Sequence, residues 1–305
     1  MITTRNRAHL VTRAVASALA QSHPCHEIIV VVDGGDAETE SVLRQIQDVR
    51  LKVVSTPRPV GGAEARNVGV RAASGDWIAF LDDDDEWLPR KLEKQLAQAA
   101  RSKFAWPILS CRVRAKTPGG AELLWPRRMP RDGEHLSEYI LVRNSLTQGE
   151  GLVITTMIVA PRDLLLGVPF HKGLLRHQEW DWLLRAFALP TVGLECVFEE
   201  LAIWYIDENR PTISAQSNWT ESYQWVQTIR PLITKRAYAS FLMVFTSSIA
   251  ARASAYCALA PILRSVCKYG APKPIDGLLM IAMWAVPQRW RRKARNNWAK
   301  RTAHA

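Results

Sequence analysis

The sequence predicts an α/β protein: a mostly parallel central sheet flanked by helices, with an α-helical, basic extension at its C-terminal end. Three observations predict it. Short apolar runs alternate with amphipathic stretches through the first half of the chain. Acidic residues stand directly after two of those runs. Beyond about residue 207 the pattern changes to Ala-, Leu-, Trp- and Arg-rich helical segments interrupted by prolines. At 305 residues, with 48% hydrophobic and 23% charged residues, most of the chain should fold.

The elements follow from periodicity. Residues 27–32 read as a strand buried on both faces, β-branched and apolar after Glu27, and 51–54 and 77–81 read the same way. Between and after them, Val42, Leu43 and Ile46, then Leu88, Leu92 and Leu96, fall at helical spacing. Strands alternating with helices in this way predict a parallel sheet, whose ligands bind beyond the carboxyl ends of the strands. Further strand-like runs cover 108–113, 154–159 and 196–206, and a helix covers 179–189, stopped by Pro190. In the tail, Pro231, Pro261, Pro272, Pro274 and Pro287 divide helical segments.

Charge is unevenly distributed. Residues 230–305 hold 14 Lys/Arg and one acid, Asp276, a balance of +13 that exceeds the +11 of the whole chain, so the remainder is slightly negative. That argues for a surface-seeking C-terminal segment rather than a generally basic protein. The five cysteines are scattered without a C-x-x-C pair and read as buried thiols of a reducing compartment, not a disulfide frame or zinc site. Residues 1–5 carry no apolar signal-peptide core.

Four segments carry chemistry. Phe80-Leu81 runs into Asp82-Asp83-Asp84-Asp85, four successive carboxylates whose repulsion requires compensation by a cation or by hydrogen-bond donors. Hard divalent ions such as Mg²⁺ and Mn²⁺ favour such oxygens and share them with phosphates; a solvated acidic loop is the other reading. Asp33 follows a strand and enters the Gly34-Gly35 turn, where it serves either a base or ribose, or a helix N-terminus as its cap. The run from Gly61 to Val70 lets a helix approach the sheet, with Arg66 placed to reach a diphosphate or to sit on the surface. His177-Gln178-Glu179-Trp180-Asp181-Trp182 sets two acids at a helix start, where acids also occur for dipole reasons, beside indoles that can desolvate a general base.

Together these segments resemble the family 2 glycosyltransferases with the GT-A fold. The resemblance rests on Ile2-Thr3-Thr4-Arg5-Asn6-Arg7, Val31 to Gly35, Ala65-Arg66-Asn67-Val68-Gly69, Ala73 to Asp85 with Trp87, Leu92 and Gln95, and Gln178-Glu179-Trp180-Asp181. It covers the chain to about residue 207. It implies a metal-dependent hexosyltransferase that moves a sugar from a nucleotide-diphospho-sugar to an acceptor hydroxyl, with inversion, in cell-surface polysaccharide or glycolipid synthesis. By the same resemblance Asp33 contacts the base, Arg66 the diphosphate, Asp82 and Asp83 the ribose and sugar side, and Thr3 and Arg5 the nucleotide. Asp84 with Asp82 would ligate Mn²⁺ or Mg²⁺, and Glu179, with Asp181 beside it, would supply the base. The family more often has Asp at position 179, preceded by Glu. The implied organisation is a catalytic domain at 1–207, with donor binding in 1–115 and the acceptor and base region in 116–207, followed by a helical, basic extension at 208–305. Only Met1 to Thr3 precede the polar turn, shorter than the usual strand, so additional β-branched residues are expected ahead of Ile2.

In the extension, the apolar run 278–286 is too short for the ~20 residues that span a bilayer, and Arg289-Trp290-Arg291-Arg292-Lys293-Ala294-Arg295 follows it. This fits an apolar helix lying on an anionic membrane surface, here the inner face of the cell membrane; a packed helical subdomain is the alternative. The expected acceptor is a glycan or glycolipid. Two other functions compete. A nucleotidyltransferase of related fold would show a glycine-rich basic loop after its first strand, which residues 3–7 lack. A nucleic-acid-binding protein leaves the four carboxylates unexplained, since they repel phosphates.

Overall fold

A computed structural model gives the structure of the protein and describes residues 1–117, 120–146, 149–206 and 218–286. It comprises two compact units, Met1–Lys116 with Val153–Glu208, and Thr117–Leu152 with Asn209–Ala305. By compactness, therefore, residues 117–152 group with the C-terminal segment, where the sequence pattern had placed a single cut near 207. The sequence 289–295 lies outside the described residues.

The first unit begins with β1 (Ile2–Thr4), α1 (Ala8–Leu19), β2 (Ile28–Val32), α2 (Ala37–Arg44), β3 (Leu51–Ser55) and α3 (Gly62–Ala72). It continues with β4 (Trp77–Ala79), β5 (Leu81–Asp82), β6 (Glu86–Trp87), α4 (Lys91–Ala99) and β7 (Trp106–Lys116). After β8 (Glu122–Trp125) and α5 (Leu136–Leu141), which belong to the second unit, it is completed by β9 (Val159–Pro161), α6 (Arg162–Gly167), α7 (Gln178–Ala186) and β10 (Val192–Tyr205).

One sheet, in the order β3-β2-β1-β5, is wholly parallel. Every residue of β2 is buried, as the double coverage of a parallel sheet demands, and its Ile and Val side chains suit the pleat. On α1, Leu10, Val11, Ala14, Val15 and Ala18 form the buried stripe at the spacing of one helix face. The carboxyl ends of β1, β2 and β5 fall at the same edge, with Thr3 in register with both Val31 and Asp82.

The second sheet runs β4-β9-β7-β10-β6, with β7 and β10 parallel and the remaining pairs along this path antiparallel. The apolar run 77–81, expected as one strand, is divided between the sheets. Trp77–Ala79 pairs with β9 and Leu81 with β1, while the Phe80 amide donates to the Ile158 carbonyl at 3.0 Å. That division turns the chain and delivers the acids that follow to the edge of the parallel sheet. The expected strand at 154–159 is corrected as well: Thr155–Met157 form a 3₁₀ turn before β9, in which the Thr155 hydroxyl accepts from Arg66 and the Thr156 hydroxyl donates to Asp85.

The second unit is mainly helical after residue 218. It contains α8 (Trp219–Thr228), α9 (Lys235–Ser240) running through a π-helical segment (Phe241–Thr246) into α10 (Ser247–Arg252), then α11 (Leu259–Tyr269) and α12 (Pro274–Ala285). The run of low polarity from 237 to 263 is broken after α10, where Ser254 takes a positive φ of 52°. No helix among the described residues is long and apolar enough to cross a membrane. Of the cysteines only Cys111 is buried and Cys257 and Cys267 are exposed, which corrects the expectation of five buried thiols.

Candidate active site

The acidic edge is built from β5 and the turn after it. Asp82 remains partly open, with a side-chain exposure of 32%, whereas Asp83 and Asp85 are buried. Oxygens of Asp82, Asp84 and Asp85 all lie within 4.8 Å of one another. Asp85 accepts from the Thr156 hydroxyl at 2.5 Å and from the Tyr205 amide at 3.2 Å. Its pKa is nonetheless raised well above the usual carboxylate value, first by burial and then by the charges of Asp84 and Asp82. Three converging oxygens under that mutual repulsion fit a hard dication. Asp85 thus joins the expected pair, Asp82 and Asp84.

Two arginines offset the same charge. Arg7 Nη1 donates to Asp83 Oδ1 and Asp84 Oδ2, both at 2.9 Å. Arg13 donates to the Asp84 carbonyl at 2.7 Å and lies 4.0 Å over the Tyr205 ring. Asp83 is buried, and that burial raises its pKa despite the Arg7 contact.

Arg66, 9% exposed, joins separate parts of the chain. Its Nη2 donates to Asp82 Oδ1 at 3.0 Å and Thr155 Oγ1 at 3.3 Å, and its Nη1 donates to Gln178 Oε1 at 2.5 Å. Gly62 permits this approach, since a Cβ there would stand 3.2 Å from Gln178 Oε1 and 3.4 Å from Arg66 Nη1. Asn67 is a structural neighbour: its side chain bonds the Phe170 backbone in both directions at 2.9 Å.

At the start of α7, Glu179 is half-buried. Its pKa is raised, with burial the largest cause; Arg66 opposes the shift and Asp82 adds to it. Asp181 differs. It is 2% exposed and pairs with Arg185 Nε at 2.8 Å, one turn along the same helix. Trp180 donates to the Val153 carbonyl at 3.1 Å and Trp182 to the Val168 carbonyl at 2.8 Å, fixing the helix on two sides.

Asp33 is buried, and its two oxygens accept from the amides of Val60 at 2.6 Å and Gly61 at 3.0 Å. The cap of α2 is instead Asp36, which accepts from the Glu38 amide. Asp33 therefore shapes the loop that leads into α3 and Arg66, while a carboxylate retains lone pairs for further donors. Thr3 stands across from Asp82, and Arg5 is exposed in the bend after β1. Sequence reasoning did not assign Arg7, Arg13, Asp85, Thr155, Thr156 or Tyr205 to the site. Arg7 was visible as a second cation in the polar turn, but nothing local marked the threonines or the tyrosine.

The profile of Glycosyl transferase family 2 matches residues 1–165. The chain belongs to that family. Among its family 2 relatives, a putative teichuronic acid biosynthesis glycosyltransferase of Bacillus subtilis is 33% identical over 149 residues, covering 48% of this chain and 53% of that protein. An Escherichia coli UDP-Glc:alpha-D-GlcNAc-diphosphoundecaprenol beta-1,3-glucosyltransferase is 32% identical over 101 residues, covering 33% and 40% of the two. The match thus spans about half the length of such relatives, or less. In fold, the chain is similar to a mannosyltransferase of Pyrobaculum calidifontis solved with GDP-Man and Mn²⁺, with a TM-score of 0.56, 16% identity and coverage of 98% of this chain and 83% of that one.

Proposed function

We propose that this family 2 protein is a metal-assisted, inverting hexosyltransferase. It takes a sugar from a nucleotide-diphospho-sugar and passes it to a hydroxyl of a glycan or lipid-linked acceptor at the cytoplasmic face of a membrane, in surface polysaccharide synthesis. The observation that carries the reading is the bridge made by Arg66, which ties the carboxylate edge at Asp82 to the helix that presents Glu179. The relatives' stated roles in teichuronic acid biosynthesis and on a diphosphoundecaprenol-linked sugar support the acceptor class. The neighbour solved with GDP-Man and Mn²⁺ supports the donor and the metal.

In this reading Asp82 and Asp84, with Asp85 beneath them, would hold Mn²⁺ or Mg²⁺, which when bound supplies charge stabilisation for a departing diphosphate. Arg66 contributes a guanidinium to the same phosphates. Asp33, Thr3 and Arg5 line the nucleotide end, with Asp33 also holding the 60–61 loop, and Asp83 acts through Arg7. Glu179 deprotonates the acceptor hydroxyl. Its raised pKa brings it nearer the strength a general base needs, and as a carboxylate it works only above that pKa. Asp181 positions α7 through Arg185.

Initial rates with UDP- and GDP-sugars would test this. Glu179→Gln should lose roughly 10²–10⁴-fold in kcat. In the wild type, the acid limb of the pH–rate profile should lie above the ordinary glutamate pKa of ~4.3. Asp181→Asn should lose less. An inactive Asp181→Asn beside an active Glu179→Gln would reverse the two roles.

A further inference from the structure

The helix α12 is apolar around nearly its whole circumference, yet among the described residues only one side of it is covered. Asp276, Leu279, Met280 and Met283 are buried, and Leu279 and Met283 pack with Val244 of the π-helical segment. The opposite stripe is open: Leu278 is 60% and Ile281 65% exposed, and Ala285 continues the same face. These residues recur at helical spacing and include no polar side chain. A helix apolar all round is ordinarily covered all round. Tyr256, also exposed, extends the apolar surface by packing its ring 5.3 Å from that of Trp284 on α12.

The exposed charges of the segment that carries this stripe are of one sign. Between residues 230 and 286 the exposed ionisable side chains of charged type are Arg230, Lys235, Arg252, Arg264, Lys268 and Lys273. The one acid, Asp276, is buried in an ion pair with Arg236. That pair also holds α12 in place, since Asp276 accepts from the Lys273 amide at 2.8 Å. An apolar stripe on a segment whose exposed charges are all cationic matches the chemistry of an anionic lipid surface, where apolar side chains enter the acyl boundary and Lys or Arg meets phosphate.

We propose that the Leu278–Ile281 face of α12 is where the protein docks on an anionic bilayer, with the helix lying in the interfacial plane. The apolar side chains enter the acyl boundary and the flanking Lys and Arg groups meet lipid phosphates. This deepens the membrane part of the reading above and rests on it.

Co-sedimentation of the full chain with vesicles tests the assignment. Wild type should bind phosphatidylcholine vesicles containing phosphatidylglycerol, bind pure phosphatidylcholine far less, and be released by high salt. Leu278→Ser with Ile281→Ser, which adds no charge, should lower the bound fraction at least tenfold at an unchanged melting temperature and oligomeric state. Leu278→Glu with Ile281→Glu should lower it further. Equal binding by wild type and the serine pair would overturn the face assignment while leaving membrane association intact. A lower melting temperature or an altered oligomeric state, with vesicle binding unchanged, would show the stripe covered by residues 287–305 or by a second copy, and would also overturn it. Failure of wild type to bind either vesicle would remove the membrane reading itself.

Discussion

His177 occupies the left-handed region, with φ of 61°, at the N-terminus of α7. Its ring is buried and stacked on Trp180 at 5.4 Å. Burial, with the charge of Arg176, lowers its pKa to about 3, against ~6.5 for a free histidine. Between those values the unfolded chain binds a proton that the folded chain refuses, so this residue makes stability fall as pH falls from ~6.5 towards 3. Asn also tolerates the left-handed conformation, so His177→Asn keeps the turn and removes the titration. Melting temperature followed by circular dichroism should decline less steeply for the variant than for wild type between pH 6.5 and 4. Parallel declines would show that His177 does not titrate in this way. At this scale the sequence was informative where chemistry is local: four acids after an apolar run already place Asp82 and Asp84 close together, as their oxygens are in the fold. The burial of Asp85 was not readable, because its partners Thr156 and Tyr205 lie 71 and 120 residues away.

Among elements, α4 shows how a helix is fixed by groups its periodicity does not reveal. Leu92 follows the apolar pattern, but Lys91 and Gln95 are also fully buried. Lys91 Nζ donates to Gln95 Oε1 at 2.6 Å and lies 4.6 Å over the Trp87 ring, and Gln95 donates to the Met157 carbonyl at 2.9 Å. The helix is thus tied to β6 and to the 3₁₀ turn that serves the acidic edge. Burial lowers the Lys91 pKa to about 8, so below that pH the folded protein carries a desolvated charge that costs less in the unfolded chain. The cost fades as pH rises from about 8 through the unfolded value of ~10.4. Lys91→Met should remove that pH dependence, so wild type should gain in melting temperature relative to the variant across this window. A constant difference between the two proteins would contradict it. The buried strands were legible for the opposite reason, since uninterrupted β-branched runs such as 28–32 have few other structural uses. The break at Phe80 was not legible, because one apolar run serves two sheets and only long-range pairing reveals where it divides.

For the whole molecule, the basic bias after residue 230 was plain from composition. The grouping of 117–152 with that segment was not, since compactness across a long insertion leaves no local periodic trace. A shared donor and metal site also has a global readout, because ligands that bind only the folded state raise its stability by RT ln(1 + [L]/Kd). At a hundredfold excess over Kd this is ~2.7 kcal/mol, and for domains of this size about 2–4 °C accompanies each kcal/mol. If Asp82, Asp84 and Asp85 hold a dication that shares a diphosphate with Arg66, each ligand completes the site of the other. Mn²⁺ and UDP or GDP added together should then raise the melting temperature by more than the sum of their separate effects. Asp84→Asn should lose this synergy, since a neutral amide cannot replace the carboxylate opposite Asp82 and Asp85. Glu179→Gln, on the acceptor side, should retain it. Additive shifts in the wild type with both nucleotides would separate nucleotide from metal and sink the shared site. Synergy that survives in Asp84→Asn would move the metal away from that residue.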